Sequence, residues 1–261
     1  MAVLAQFLLR LSFGLAAGMA ITSPRQVSSG YYRNHLFVTL GLATLAALVL
    51  SRSSSWGMWL AIAAAALSYV GSVCWLYEAK RAGVALLWLV AGSSLAAALT
   101  AQPAQPAPSA TAQEARHDVA QLAAVLRPVS VVTSGLVLGT TMAAMLLGHW
   151  YLNSPGMELA PLRRLLVAMA IAVGLQTIVS AIGLFAVWNI GGVESPSWIM
   201  FVVMRWSFGL IGIAALIWMA WKTLDIPNTQ SATGILYVAV LGAFVGELAA
   251  VLLSAESPVA L

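Results

Sequence analysis

Three ionisable residues stand inside otherwise apolar stretches of the chain. The hexapeptides RLSFGL and RWSFGL begin at Arg10 and Arg205, and Glu247 lies near the end of a third apolar run. Charges inside a membrane are expected to face inward and to neutralise each other through guanidinium–carboxylate contacts. Two arginines and one glutamate leave one positive charge over. We therefore predict that Arg10, Arg205 and Glu247 lie in one layer of the membrane and form a buried charge cluster that can bind an anion.

The cluster also has a purely structural interpretation, in which Arg205 and Glu247 form a salt bridge that locks two helices together. Arg10 would then extend to the membrane surface. In the functional interpretation, the surplus charge holds a cofactor carboxylate, a lipid phosphate, a semiquinone or a substrate. Small residues at matched offsets after both arginines would allow close helix approach and add hydroxyl donors. They are Ser12, Gly14, Ser207 and Gly209.

Two histidines, His35 and His149, form a second candidate site. His35 opens one apolar run in YYRNHLFV and His149 closes another in LLGHWYLN, so both are expected at the same membrane boundary. Imidazoles from two facing helices can ligate a haem iron, and an imidazole can hydrogen-bond a quinone ring. Both are thus candidate cofactor-binding residues for haem b or a quinone, and metal ligands in the haem case. In the alternative interpretation they are ordinary interfacial histidines within an aromatic belt.

The composition requires lipid as the surrounding solvent. Hydrophobic residues make up 61% of the 261 residues, charged residues make up 8%, and the mean hydropathy is +0.94. Soluble domains carry about 25% charged residues, so this chain cannot cover itself with a surface compatible with water. Apolar runs long enough to cross the hydrocarbon core occur eight times. We predict eight transmembrane helices over residues 4–22, 34–51, 56–76, 82–100, 129–151, 163–188, 197–221 and 232–254.

The predicted fold is an all-α polytopic membrane helix bundle, and weak internal similarity divides it into two four-helix halves. In each half a Ser-Pro pair precedes an arginine by the same distance, and a span with GLAT or GLQT follows. We assign residues 1–100 to the first half, residues 101–128 to an outer linker and residues 129–261 to the second half. Within the linker, residues 114–126 place apolar side chains on one helical face. This pattern predicts an amphipathic helix on the membrane surface.

The distribution of lysine and arginine predicts the orientation, because short basic loops stay in the cytoplasm. Seven basic residues fall in one set of loops and three in the other. The larger set comprises Arg25, Arg33, Lys80, Arg81, Arg163, Arg164 and Lys222, and the smaller set Arg52, Arg116 and Arg127. We therefore expect a bacterial-type inner (plasma) membrane protein with both termini outside. Lipid is the expected partner, whereas nucleic acid is not, because the basic residues form no solvent-exposed stripe.

Three functions remain open. The first is an integral subunit of a redox complex of respiratory type, which takes part in electron transport, anchors other protein subunits and binds haem or a quinone. The second is a carrier for a small anionic solute or lipid, in which the two halves rock around the arginine layer. The third is a purely structural accessory membrane protein. Short loops, many aromatic residues and the absence of interrupted helices favour the first.

We do not expect the chain to be an enzyme on its own. It has almost no predicted domain outside the bilayer, and it contains no HExxH, GxSxG or P-loop motif. Its single cysteine, Cys74, excludes a disulfide framework. Activity on a soluble substrate would therefore need other subunits.

Overall fold

Every regular element that the structure describes is helical. The computed structural model describes residues 2–52, 55–101, 113–154, 156–189, 196–226 and 228–256, and no strand is present within these ranges. The helices are α1 (Ala2–Ala20), α2 (Ser29–Leu50), α3 (Ser55–Leu76), α4 (Lys80–Thr100), α5 (Gln113–Asn153), α6 (Ala160–Asn189), α7 (Pro196–Met204), α8 (Ile213–Asp225) and α9 (Thr229–Glu256). A π-helical segment, Arg205–Gly212, joins α7 to α8.

Eight helical stretches among the described residues are long and apolar enough to cross a membrane. The seventh combines α7, the π segment and α8 into one span, Pro196–Asp225, and α9 is the eighth. Helices prevail because each backbone polar group inside hydrocarbon must find a partner within its own segment. The predicted all-α bundle of eight spans is confirmed, and the chain is a multi-pass membrane protein by length and composition.

The fifth span begins earlier than predicted. α5 runs from Gln113 to Asn153 without a break and contains Pro128, so residue 129 is not the start of a helix. The segment predicted as a separate surface helix is instead the first part of α5. Residues 102–112 of the predicted linker lie outside the described residues.

The early part of α5 is held by protein contacts. Ala123 and Leu126 are buried together with Trp198 of α7 and Leu253 of α9. Val125 points away from this contact and is 62% exposed. Neighbouring spans thus cover Leu126, and in part Leu122, on the apolar face that predicted a membrane-surface helix.

α1 and α5 lie at the centre of the bundle. In the most apolar stretch of each, 72% of the residues are buried, compared with 22–50% in the other spans. α1 contacts α2, α4, α5 and α9, while α5 also contacts α6 and α9. Because α1 packs against helices from both parts of the chain, it connects them. The division into two four-helix halves stays a prediction.

The contact between α1 and α5 is a contact between backbones. A Cβ atom added at Gly139 would lie 1.8 Å from the carbonyl carbon of Gly14, and one added at Gly14 would lie 1.7 Å from the carbonyl oxygen of Gly135. Small residues at a crossing let two membrane helices approach closely, and van der Waals packing then holds them together. Gly14 belongs to RLSFGL, so this motif seats α1 against α5.

Gly139→Ala is expected to force α1 and α5 apart and to lower the free energy of unfolding by at least about 2 kcal/mol, because the added methyl group has no room. Gly174→Ala in α6 is the matched control, since no described atom lies within 4 Å of its added Cβ and alanine favours a helix. Thermal unfolding in mild detergent, followed by circular dichroism, measures both variants. Equal Tm values for the two would contradict the close backbone packing.

Candidate functional site: a buried arginine–glutamate cluster

The three ionisable residues predicted to share one layer do lie at one level. Arg10 lies eight residues after the start of α1, Arg205 nine residues after the start of α7, and Glu247 nine residues before the end of α9. At about 1.5 Å per residue, each is therefore about 12–14 Å from the same end of the bundle. We call this end, where α1 begins, the α1 end.

The structure also brings these three side chains into contact. Nη1 of Arg10 lies 2.5 Å from Oε1 of Glu247, and Nη1 of Arg205 lies 3.5 Å from Oε2 of the same carboxylate. Arg10 is 9% exposed, and Arg205 and Glu247 are each 2% exposed. They are the only buried charged residues in the part of the chain that the structure describes. A single carboxylate thus stands between two guanidinium groups.

The pairing within the cluster differs from the structural interpretation given above. Arg10 does not extend to the membrane surface but makes the shorter contact with Glu247. Arg205, which was expected to be the main partner of Glu247, makes the longer contact. Because Arg10 and Glu247 neutralise each other at short distance, the surplus positive charge belongs to Arg205.

Arg10 has further partners that sequence reasoning did not find. Its Nε donates to Oε1 of Gln6 at 3.2 Å, and its Nη1 donates to Oγ of Ser134 in α5 at 3.1 Å. Gln6 in turn donates to the backbone carbonyl of Ala98 in α4 at 2.7 Å. Gln6 could have been found, because it is a polar residue one helical turn before Arg10. Ser134 carries no such signal in the sequence.

Arg205 has fewer partners than Arg10. Its Nη1 donates to the backbone carbonyl of Gly246 at 3.2 Å in addition to the contact with Glu247. Its Nε and Nη2 have no hydrogen-bond partner among the described residues, although both atoms are buried. Together these two atoms carry most of the N–H groups of the guanidinium. A buried charged donor that is left without a partner is unfavourable by about 1–3 kcal/mol or more.

The unpartnered atoms of Arg205 define a binding geometry. Nε and Nη2 form one edge of the planar guanidinium, and such an edge binds a carboxylate or a phosphate through two parallel hydrogen bonds. Neither Gly246 nor Glu247 occupies this edge. The arrangement therefore leaves two donors that are chemically suited to an anion with two oxygen atoms.

The chain around Arg205 is irregular. The π segment begins at Arg205 and covers the whole of RWSFGL. π-helical turns are wider than α-helical turns and occur frequently at functional sites. The seventh span is nevertheless continuous from Pro196 to Asp225, so the π segment changes the helical geometry without interrupting the span.

The glycine of RWSFGL has the same structural role as the glycine of RLSFGL. A Cβ atom added at Gly209 would lie 2.7 Å from Cα of Gly246 in α9 and 3.6 Å from Cδ of Arg205. Gly209 thus brings the seventh span onto α9 and leaves space for the arginine side chain. The expectation of close helix approach at both motifs agrees with this geometry.

The serines of the two motifs do not contribute donors to the cluster, contrary to expectation. Oγ of Ser12 lies 3.2 Å from Oγ of Ser94, which links α1 to α4. Oγ of Ser207 donates to the backbone carbonyl of Val203 within its own span at 2.6 Å. Both hydroxyls are occupied elsewhere, since hydroxyls on membrane helices commonly bond to their own helix or to a neighbour.

The two predicted cofactor-binding histidines lie towards the opposite end of the bundle and have different surroundings. His35 is buried, and its Nδ1 lies 2.6 Å from the backbone carbonyl of Tyr31. His149 is exposed, and its Nδ1 lies 3.3 Å from the hydroxyl of Tyr237 in α9. A carbonyl can only accept, so Nδ1 of His35 carries the hydrogen, and Nε2 of the neutral ring keeps its lone pair.

Aromatic rings surround His35. The rings of Tyr31 and Trp150 lie 4.6 Å and 6.3 Å from its own ring, and Tyr32 stacks on Trp75 at 4.1 Å. No group of three or more His, Cys, Asp or Glu side chains that could hold a metal ion occurs among the described residues. A haem site at this end would therefore depend on His35 and His149 alone.

No protein-family model matches the chain, and neither a curated protein nor a solved structure matches it significantly.

Replacing the two arginines separately is expected to give unequal losses of stability. Arg10→Met removes the closest partner of Glu247 and should lower the free energy of unfolding by about 3–5 kcal/mol. Arg205→Met should lower it by less, because Glu247 keeps its short contact with Arg10. Unfolding in mild detergent measures both, with Arg164→Met at an exposed position as the control. An equal or larger loss for Arg205→Met would refute the assignment of the surplus charge to Arg205.

Proposed function

We propose that this protein is a membrane carrier for an anionic solute or lipid, and that Arg205 binds the anionic group. The observation that carries the proposal is the buried guanidinium edge of Arg205, whose Nε and Nη2 have no hydrogen-bond partner among the described residues. An anion with two oxygen atoms satisfies both atoms and neutralises the surplus charge.

The charge arrangement favours reversible binding. Glu247 is neutralised by Arg10, so the anion does not have to displace a carboxylate that would then be stranded in a medium of low dielectric constant. Gln6 and Ser134 hold Arg10 in place. Arg205 alone is thus free to exchange partners.

The position of the cluster also suits a carrier. Arg10 of α1 reaches Glu247 of α9, so the ion pair joins the first span to the last. α1 is central, and it contacts α5 through glycine backbones. Movement of one predicted half against the other would change the contacts within this charge cluster, as in carriers built from parallel repeats.

The environment of the carrier is part of the same proposal. The bias of lysine and arginine in the loops supports a bacterial-type inner membrane location with the α1 end outward. The cluster would then bind its anion from the outer leaflet. Association with other protein subunits is compatible with this function but is not needed for it.

Binding of an anion should raise the thermal stability of the purified protein. We expect at least one class of anion, either soluble anions such as inorganic phosphate and short carboxylates or anionic amphiphiles, to stabilise the wild type in neutral detergent, by about 2.7 kcal/mol at a hundredfold excess over Kd. Arg205→Met should lose the effect, and Arg164→Met should keep it. The anion that binds should also move across proteoliposome membranes faster than across protein-free ones. Absence of any Arg205-dependent stabilisation would overturn the proposal.

A second candidate function is the redox subunit that binds a quinone or haem. The observation that favours it is the buried His35, whose Nδ1–H is fixed on the carbonyl of Tyr31 so that Nε2 is left as an acceptor or ligand. The aromatic rings around it would suit a planar cofactor. This candidate ranks second because His149 is exposed and is engaged by Tyr237.

The redox function predicts that the purified protein carries an absorbing group or a quinone. A reduced-minus-oxidised spectrum and organic extraction of the purified protein test this directly. His35→Phe should remove the signal while leaving the helical content unchanged. A flat spectrum together with a quinone-free extract would eliminate this candidate and would leave the carrier proposal intact.

A further inference from the structure

We propose that the anion bound by Arg205 is the headgroup of a membrane lipid, which enters sideways from the bilayer between the seventh span and α9. The inference rests on the proposed function and names its ligand class. The headgroup has a net negative charge and carries a phosphodiester or a carboxylate, since both groups present two oxygen atoms to a guanidinium edge and the net charge neutralises Arg205.

The seventh span is the most lipid-exposed of the eight described spans. Only 22% of the residues in its most apolar stretch are buried. Phe208 and Ile211, within one or two turns of Arg205, are 56% and 63% exposed. One helix therefore separates the buried guanidinium from the bilayer, and displacement of this helix would bring lipid to Arg205.

The contacts between Arg205 and α9 are the weaker ones of the cluster. They are the 3.2 Å hydrogen bond to the carbonyl of Gly246 and the 3.5 Å contact with Glu247. If the seventh span moves, Glu247 keeps Arg10 at 2.5 Å. Glu247 on α9 then keeps a partner of opposite charge. The moving helix carries only the guanidinium of Arg205, which the lipid headgroup neutralises.

The π segment places an irregular turn at the point where this movement would occur. Arg205 is its first residue, and Gly209, within it, meets Gly246 without a side chain between the two backbones. Neither glycine has a side chain that would have to disengage from the other helix. The seventh span and α9 can therefore separate at the level of Arg205 while α7 and α8 remain helical.

Apolar packing at the α1 end disfavours entry of a soluble anion from that side. Trp198 and Leu253, on the α1 side of Arg205 and Glu247, are buried together with Leu126 in one apolar cluster. A hydrated ion would have to cross this cluster and lose its water. A lipid brings its headgroup from the side and keeps its acyl chains against the exposed apolar face of the seventh span.

The test compares lipid with soluble anions on the full chain. The protein is placed in phosphatidylcholine nanodiscs with or without phosphatidylglycerol, and lipids retained after release are counted by native mass spectrometry. We expect the wild type to retain one phosphatidylglycerol preferentially, and Arg205→Met to show occupancy lower by at least about tenfold. Arg164→Met should behave as the wild type.

A second variant separates recognition from folding. Arg205→Lys keeps the positive charge but cannot form two parallel hydrogen bonds to one anionic group. We therefore expect this variant to retain the Tm of the wild type and to lose most of the preference for phosphatidylglycerol. Full retention of phosphatidylglycerol by Arg205→Lys or by Arg205→Met would overturn the assignment of the headgroup to this edge.

The second arm adds inorganic phosphate and acetate to the nanodiscs with and without phosphatidylglycerol, and it follows both the Tm and the retained lipid. We expect no stabilisation that depends on Arg205 and no displacement of phosphatidylglycerol. Arg205-dependent stabilisation by these soluble anions, without retention of phosphatidylglycerol, would overturn the lipid inference and leave the anion carrier standing. No Arg205-dependent response to either kind of anion would overturn both.

Discussion

The ion pair between Arg10 and Glu247 is the interaction on which the arrangement of this protein depends. In hydrocarbon neither charge is tolerable alone, because desolvation of each is unfavourable by several kcal/mol. The pair therefore requires that α1 and α9 pack together at one level. Gln6 and Ser134 extend the requirement to α4 and α5 through hydrogen bonds. Five described elements are thereby held in register, since Arg205 adds the π segment.

The repeated hexapeptide shows how one short sequence serves two purposes. Its arginine supplies a charge that must be buried, and its glycine, one turn later, lets the helix approach its neighbour closely enough to bury it. In α1 the neighbour is α5, and in the seventh span it is α9. The two copies differ in their outcome, because Glu247 lies near enough to satisfy one arginine fully and the other only in part.

The sequence alone predicted the spans and the shared level of the cluster. Span length follows from the thickness of the hydrocarbon core, and level follows from counting residues along helices of known rise. It did not predict which arginine pairs closely with Glu247, because that depends on the rotation of each helix about its own axis. The roles of Ser134 and of the serines in the hexapeptides were missed for the same reason. The apolar pattern of RWSFGL carries no signal for the π segment. The anion-binding role of the cluster, the cofactor-binding role of His35 and His149 and the orientation of the chain stay predictions.

The length of α5 has a mechanical consequence. α1 and α5 run side by side with Arg10 opposite Ser134, so that the start of α1 is level with Leu126. Thirteen further residues lead back from Leu126 to Gln113, which corresponds to about 20 Å of helix beyond the start of α1. This projecting part of α5 is continuous with the segment that packs against Gly14 of α1. A displacement of its first turn would be transmitted along the helix, past the packing around Trp198, to the glycine crossing with α1.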